Sequence, residues 1–157
     1  GRGSRLYTKL VRQQKIAVEV SDMTEILQDP GYFEILATHN DVRDAGRLQK
    51  IILESIEQIA QEGITFEELQ RAKNHLLANF TFGLYSFSGQ AFGLGRAEIY
   101  NGDYRLYLAR GHRYDRLTID DIKSVAVKYL VPVNRILFNV VPEKPAVSKK
   151  KGSNEKK

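Results

Sequence analysis

The sequence has no cysteine and no tryptophan. The lack of cysteine excludes disulfides, thiolate metal ligands and a thiol nucleophile. No apolar run approaches the roughly 20 residues that cross a bilayer as a helix, and no charged-then-apolar leader precedes the first element. Histidine is scarce as well: His39, His75 and His112 are the complete set. A helical zinc pair needs a second histidine at i+4, and the residues at those positions are Arg43, Asn79 and Arg116. No metal site is expected from the motifs of this chain.

What is present is the material of one domain. The 157 residues are 42% hydrophobic and 27% charged, within the size range of one globular domain. The formal charge of +5 is concentrated at one end. Residues 143–157 hold six Lys and two Glu, a net of +4, which leaves +1 for residues 1–142. The near-balance of the body argues against a nucleic-acid module. The Lys-rich end reads as a solubilising, disordered tail.

Leu6, Leu10 and Val11 share a helical face up to Gln13 to Lys15. The period then changes to two. Ile16, Val18 and Val20 form one strand, and Phe33, Ile35 and Ala37 form a second beyond the turn signal Asp29-Pro30-Gly31, with residues 21–32 as the connection. Helical spacing returns over residues 42–62, where Leu48, Ile52, Ile56 and Ile59 form a stripe that Gly63 ends. Thr65 with Glu68, and more weakly Thr118 with Asp121, have capping-box spacing. Between those starts the helical pattern is interrupted near Gly83 and by Gly89, Gly93 and Gly95, which predict kinks or close packing. The run Ile136 to Val141 reads as a short buried strand ended by Pro142. The order α-β-β-α-α-α-α-β predicts an α+β domain, with helices on one side of a mainly antiparallel sheet.

Catalytic signals are weak. Ser86 and Ser88 lack the strand-to-elbow context of a nucleophile. Glu67-Glu68 and Asp120-Asp121 are acidic pairs, but each sits in the first turn of an expected helix, where the dipole stabilises negative charge. Tyr85, Phe87, Phe92, Tyr100, Tyr104, Tyr107 and Tyr114 have the spacing of core and interface packing more than of a peptide-binding wall. Gly1-Arg2-Gly3-Ser4 places backbone N–H groups ahead of a helix, where an anion could be held, although G-x-G alone is a weak signal.

Three segments together carry a family resemblance. GRGSRLYTKLVRQQKIAVEV with DPGYFEILATH, then GITFEELQRAKNHL, then LTIDDIKSVAVKYLVPVNRILFNVVP resemble, in order and spacing, segments of insulinase-like (pitrilysin-type) zinc metallopeptidases. The likeness covers residues 1 to about 142. The family builds a clam-shell from two homologous halves, one of which carries the zinc motif H-x-x-E-H. No such motif occurs here, so the chain resembles the non-catalytic C-terminal half, without that half's first strands and helix. The resemblance implies no catalytic or metal residue in this chain, and zinc in a catalytic partner half from the same gene or a separate subunit. It implies an unfolded peptide substrate, is compatible with a homo-oligomer, and calls for neither nucleic acid nor a transmembrane segment. A bacterial periplasm or cell envelope fits best, with mitochondrion or cytoplasm as alternatives. Many second halves hold the substrate backbone with an Arg and a Tyr seven residues apart, and these positions fall here on Val11 and Val18. Arg12 could serve in a register shifted by one. The candidate substrate-binding residues are therefore Gly3, Ser4, Arg5, Arg12 and Val18. The resemblance also leaves a second reading, a catalytically dead scaffold like the core proteins of respiratory complexes.

Overall fold

The computed structural model describes residues 1–27 and 29–141, so Pro142 and the Lys-rich end at 143–157 lie outside the described residues. The chain starts with a turn in which the Ser4 amide donates to the Gly1 carbonyl at 2.9 Å. The Ser4 hydroxyl accepts from the Tyr7 amide at 3.3 Å and so caps α1 (Arg5–Tyr7). Helix α1 runs directly into a π-helix, Thr8–Gln13, a wider winding than the expected α pattern. The chain leaves it at Lys15, whose φ of 53° is in the left-handed region.

Strands β1 (Ala17–Glu25) and β2 (Tyr32–His39) pair antiparallel, with Val20 opposite Ala37 and Thr24 opposite Phe33. An irregularity between Ala17 and Glu19 takes Val18 out of the ladder. Strand β1 continues five residues past its expected end at Val20, because Ser21 to Glu25 find partners in Leu36 to Tyr32. The connection is correspondingly shorter than the expected 21–32. Gly31 makes this closure feasible: a Cβ there would lie 1.8 Å from the Glu25 carbonyl oxygen.

Helix α2 (Ala45–Glu62) follows a 3-10 turn at Val42–Asp44, capped by Asp41. The Arg43 guanidinium, together with the Arg43 amide, holds the Asp41 carboxyl down to about 2. Leu10, Ile16, Ala17 and Leu48 form one buried cluster, with Leu6, Val11, Val20, Ala37, Ile51 and Ile52 packed against it. The helical residues therefore cover one face of the hairpin, as the sequence predicts. Ser55 is buried but satisfied, since its hydroxyl donates to the Ile51 carbonyl at 2.8 Å.

Gly63, at φ 78°, ends α2, and Thr65 opens α3 (Phe66–Leu84) with a complete capping box. Helix α4 (Phe87–Asn101) is capped by Ser86 and closed by left-handed Gly102. The short helices α5 (Arg105–Leu108) and α6 (Arg110–Asp115) lead to α7 (Ile119–Tyr129), where Thr118 and Asp121 form the second capping box. Of the glycine series, Gly89 and Gly93 sit in close contacts: a Cβ would lie 2.4 Å from the Gly83 carbonyl oxygen and 2.2 Å from the Tyr107 ring, respectively.

One expected element is absent. Ile136 to Val141 form no strand, and the sheet among the described residues is β1 with β2. The six residues are not buried either, since Phe138 is 87% exposed. Their composition favours extended chain, but a strand also needs a neighbour to complete its ladder, and no described strand pairs with them.

Candidate functional site

Helix α3 holds the loop Gly1–Ser4 at two points. Arg5 makes a bidentate pair with Glu68, with Nε to Oε1 at 2.5 Å and Nη2 to Oε2 at 2.6 Å. Three residues further along the same helix, Arg71 Nη1 donates to the Gly3 carbonyl at 2.7 Å. Positions i and i+3 share a helix face, so one face of the first turns of α3 grips both sides of Ser4. Glu68 has a second duty, because its Oε2 also accepts from the Thr65 amide at 2.9 Å as part of the capping box. The loop and the start of α3 are joined through a single carboxylate.

The electrostatics follow from this geometry. The Arg5 guanidinium holds the Glu68 carboxyl below the usual glutamate range, assisted by the Thr65 amide and opposed by partial burial. Glu68 in turn raises the Arg5 pKa above its ordinary value. Arg5 Nη2 also lies 3.5 Å from the Gly63 carbonyl, while Nη1 is buried with no partner.

Gly3, Ser4 and Arg5 are thus brought together, with Ser4 occupied as a cap and Arg5 occupied by Glu68. Arg12 is exposed, and its guanidinium lies over the Tyr7 ring at 5.7 Å from the centroid. The two residues are five apart, the hydrogen-bond span of the π-helix that begins just after Tyr7 and contains Arg12. Val18 stands in the irregularity of β1 with its side chain 62% exposed. Glu68, Arg71 and Tyr7 are parts of this arrangement that the sequence reading left out. Glu68 shows as a cap from its local spacing, but its pairing with Arg5 spans 63 positions and has no local signal.

Among the described residues, no group of three or more His, Asp or Glu side chains converges to hold a metal. A His75 ring nitrogen is in contact with Asn79 at 3.2 Å. The Ser86 and Ser88 hydroxyls bond each other at 2.7 Å, and Ser86 caps α4. The acidic pairs sit in helix first turns as expected, and the Thr118 hydroxyl and amide hold Asp121 below its ordinary pKa. The aromatic residues do not conform to a core. Tyr107 is buried and meets Phe80 edge-on at 5.4 Å, whereas Tyr85, Phe87 and Phe92 are 84%, 92% and 74% exposed. Gly93 admits the Tyr107 ring against α4, and the other three side chains are exposed.

Residues 1–76 match the family described as the Peptidase M16 inactive domain. An uncharacterised zinc protease of Mycobacterium leprae (strain TN) is 28% identical over 130 residues, which is 83% of this chain and 29% of that protein. One of Mycobacterium tuberculosis (strain H37Rv) is 25% identical over 126 residues, 80% of this chain and 28% of that protein. The matched stretch is therefore under a third of the length of these relatives. Among solved structures, one described as the inactive peptidase domain of a zinc protease from Bordetella parapertussis superposes with a TM-score of 0.80 at 28% identity. That match covers 94% of this chain and 78% of the other. A protease from Helicobacter pylori gives 0.73 at 27% identity, over 83% of this chain and 32% of the other. The fold expected from the sequence is the fold of these domains, and their descriptions as proteases do not favour the respiratory scaffold.

Proposed function

We propose that the chain, whose residues 1–76 match the family described as the Peptidase M16 inactive domain, is the non-catalytic half of a zinc metalloendopeptidase. In this reading it forms the second wall of a chamber that closes over an unfolded peptide, while a zinc-bearing partner half, in the same protein or a separate subunit, cleaves the bond. The wall contributes shape, charge and exclusion of large folded substrates rather than bond-making chemistry. The match to a family described as inactive carries the assignment.

The peptide-facing side runs from the loop Gly1–Ser4 to β1, so that Gly3, Ser4, Arg5, Arg12 and Val18 are the residues of contact. Arg12 is the cation placed to meet a peptide carbonyl or carboxylate, since it is exposed and its partner in the structure is an aromatic face. Arg5 acts by fixing the loop through Glu68. Gly3 would then offer its backbone N–H, in a loop whose position is set by α3 through the Gly3 carbonyl.

The test is peptidase assay on an unfolded peptide, using the H-x-x-E-H half of the parent protein with and without this chain. Cleavage is expected when both are present. Zinc-dependent cleavage by this chain alone overturns the assignment, as does a catalytic half whose rate is indifferent to this chain.

A further inference from the structure

The helices and strands sort into two groups by what they pack against. In the first, α1 and the π-helix lie on β1, and α2 lies on α1, β2 and α7. In the second, α3 lies on α4 and α6, and α5 joins α4 to α6. Among the described residues, no element of one group packs extensively on an element of the other. The buried cluster of Leu10, Ile16, Ala17 and Leu48 belongs wholly to the first group. The Tyr107 ring, set against Phe80 and Gly93, belongs wholly to the second.

The chain crosses between the groups at residues 63–65, after α2, and at residues 116–118, before α7. These crossings are neighbours in space, since a Cβ on Gly63 would lie 3.3 Å from Ile119 Cγ2. Each hands over to a helix whose first turn is fixed by its own capping box. Two short, adjacent crossings between separately packed bodies define a hinge axis, because a few element-terminal residues can absorb the change in backbone angles. The Arg5–Glu68 pair lies at this axis, with Arg5 Nη2 at 3.5 Å from the Gly63 carbonyl. The hold of α3 on the loop Gly1–Ser4 is therefore disturbed little by rotation about it.

Away from the axis, the side-chain hydrogen bonds that join the groups among the described residues are those of Arg96 on α4. Its Nη2 donates to the Ile26 carbonyl at 2.8 Å and to Glu25 Oε1 at 3.3 Å. The Tyr100 ring lies against the same guanidinium, 5.4 Å from its centroid. Ile26 follows the end of β1 opposite Ala17, with roughly 30 Å of strand between them. Beyond Ala17 neither strand has a buried residue, so no apolar core backs this contact. Arg96 and Glu25 are 49% and 34% exposed, and an ion pair of that exposure is weak and screened by salt.

We propose that Arg96 is the clasp of a hinge. Helices α3 to α6 turn as a body about the paired crossings, and Arg96 holds the closed position by gripping the far end of the hairpin. Release carries α4 away from the hairpin without unfolding either group. The inference does not rest on the chamber-wall reading and its readout needs no peptidase, so the two fail separately.

The absence of cysteine allows clean placement of spin labels. One pair, Met23→Cys with Ile99→Cys, spans the two groups at exposed positions. A reference pair, Met23→Cys with Glu57→Cys, lies within the first group. Pulsed electron–electron resonance should give a single narrow distance for the spanning pair. Adding Arg96→Ala should replace it with a broader and longer distribution, while the reference pair stays unchanged. Three results would overturn the proposal: a spanning distance unaffected by Arg96→Ala, a spanning distribution already broad in the parent chain, or a reference pair that broadens equally. The last would mean that the substitution loosens the fold as a whole.

Discussion

A single carboxylate links two parts of the candidate site. Glu68 is 24% exposed, as is Arg5, so the pair lies between a surface ion pair and a buried one. Its folded pKa is depressed, and the sign of the pH effect follows. A group more acidic in the folded state contributes stability fully above its unfolded value of about 4.3, and that contribution is lost as pH falls through the folded value. Glu68→Gln retains a carbonyl able to accept from the Thr65 amide but gives up the charge. It should lower stability at pH 7 by about 1 kcal/mol, and the gap to the parent chain should close as pH falls below about 4. Thermal unfolding of both proteins from pH 7 to pH 3 measures this, and a gap constant over that range would rule out the pair as its source. Arg12 calls for a different readout. Arg12→Ala removes an exposed guanidinium over Tyr7, so its expected effect is on peptide capture. In the reconstituted peptidase it should raise KM several-fold with kcat little changed, the pattern of lost uniform binding. A fall in kcat at unchanged KM would remove Arg12 from the capture role.

At the scale of elements, what was legible in the sequence was whatever is decided locally. Both capping boxes, the stop at Gly63 and the stripe of α2 form where expected, because each depends on residues within a few positions. Non-local effects were illegible. The π-helix leaves no mark in apolar spacing, and the extension of β1 through polar Ser21 and Asp22 depends on the partner strand. Ile136 to Val141 show the reverse case: local propensity is right for extended chain, and the missing neighbour decides against a strand. The candidate site divides the same way. The loop ahead of a helix was readable, but the Ser4 cap and the grip of Glu68 and Arg71 on the loop were not. The glycines of α4 turn this distinction into a paired prediction. At Gly93 a Cβ would lie 2.2 Å from the ring of buried Tyr107, so Gly93→Ala should destabilise by about 1–3 kcal/mol despite better helix propensity. At Gly95 nothing lies within 4 Å, so Gly95→Ala should stabilise by about 0.5–1 kcal/mol. Urea titration of the two variants checks both signs, and equal shifts would show that Tyr107 does not pack on α4.

At the scale of the whole molecule, the imbalance between buried and exposed apolar residues is the main physical fact. The buried set is Leu10, Ile16, Ala17, Leu48, Leu69, Ala97, Tyr107 and Ala126, half of it alanine or tyrosine, whereas Phe87, Phe138, Val133 and Val140 are each at least 85% exposed. A chain of about 150 residues ordinarily buries some 68–70% of its unfolded surface. One that leaves this much apolar side chain in water exposes less new surface when it unfolds. The urea m-value scales with that newly exposed surface, so the free chain should unfold with an m-value clearly below the norm for its length. The core that does exist should matter correspondingly more. Leu10 is fully buried at the junction of the π-helix, β1 and α2, and Leu10→Ala should cost about 2–5 kcal/mol, a large part of the total for a domain of this kind. Urea unfolding followed by circular dichroism measures both quantities. An m-value normal for the length would mean that the exposed apolar segments are buried in solution.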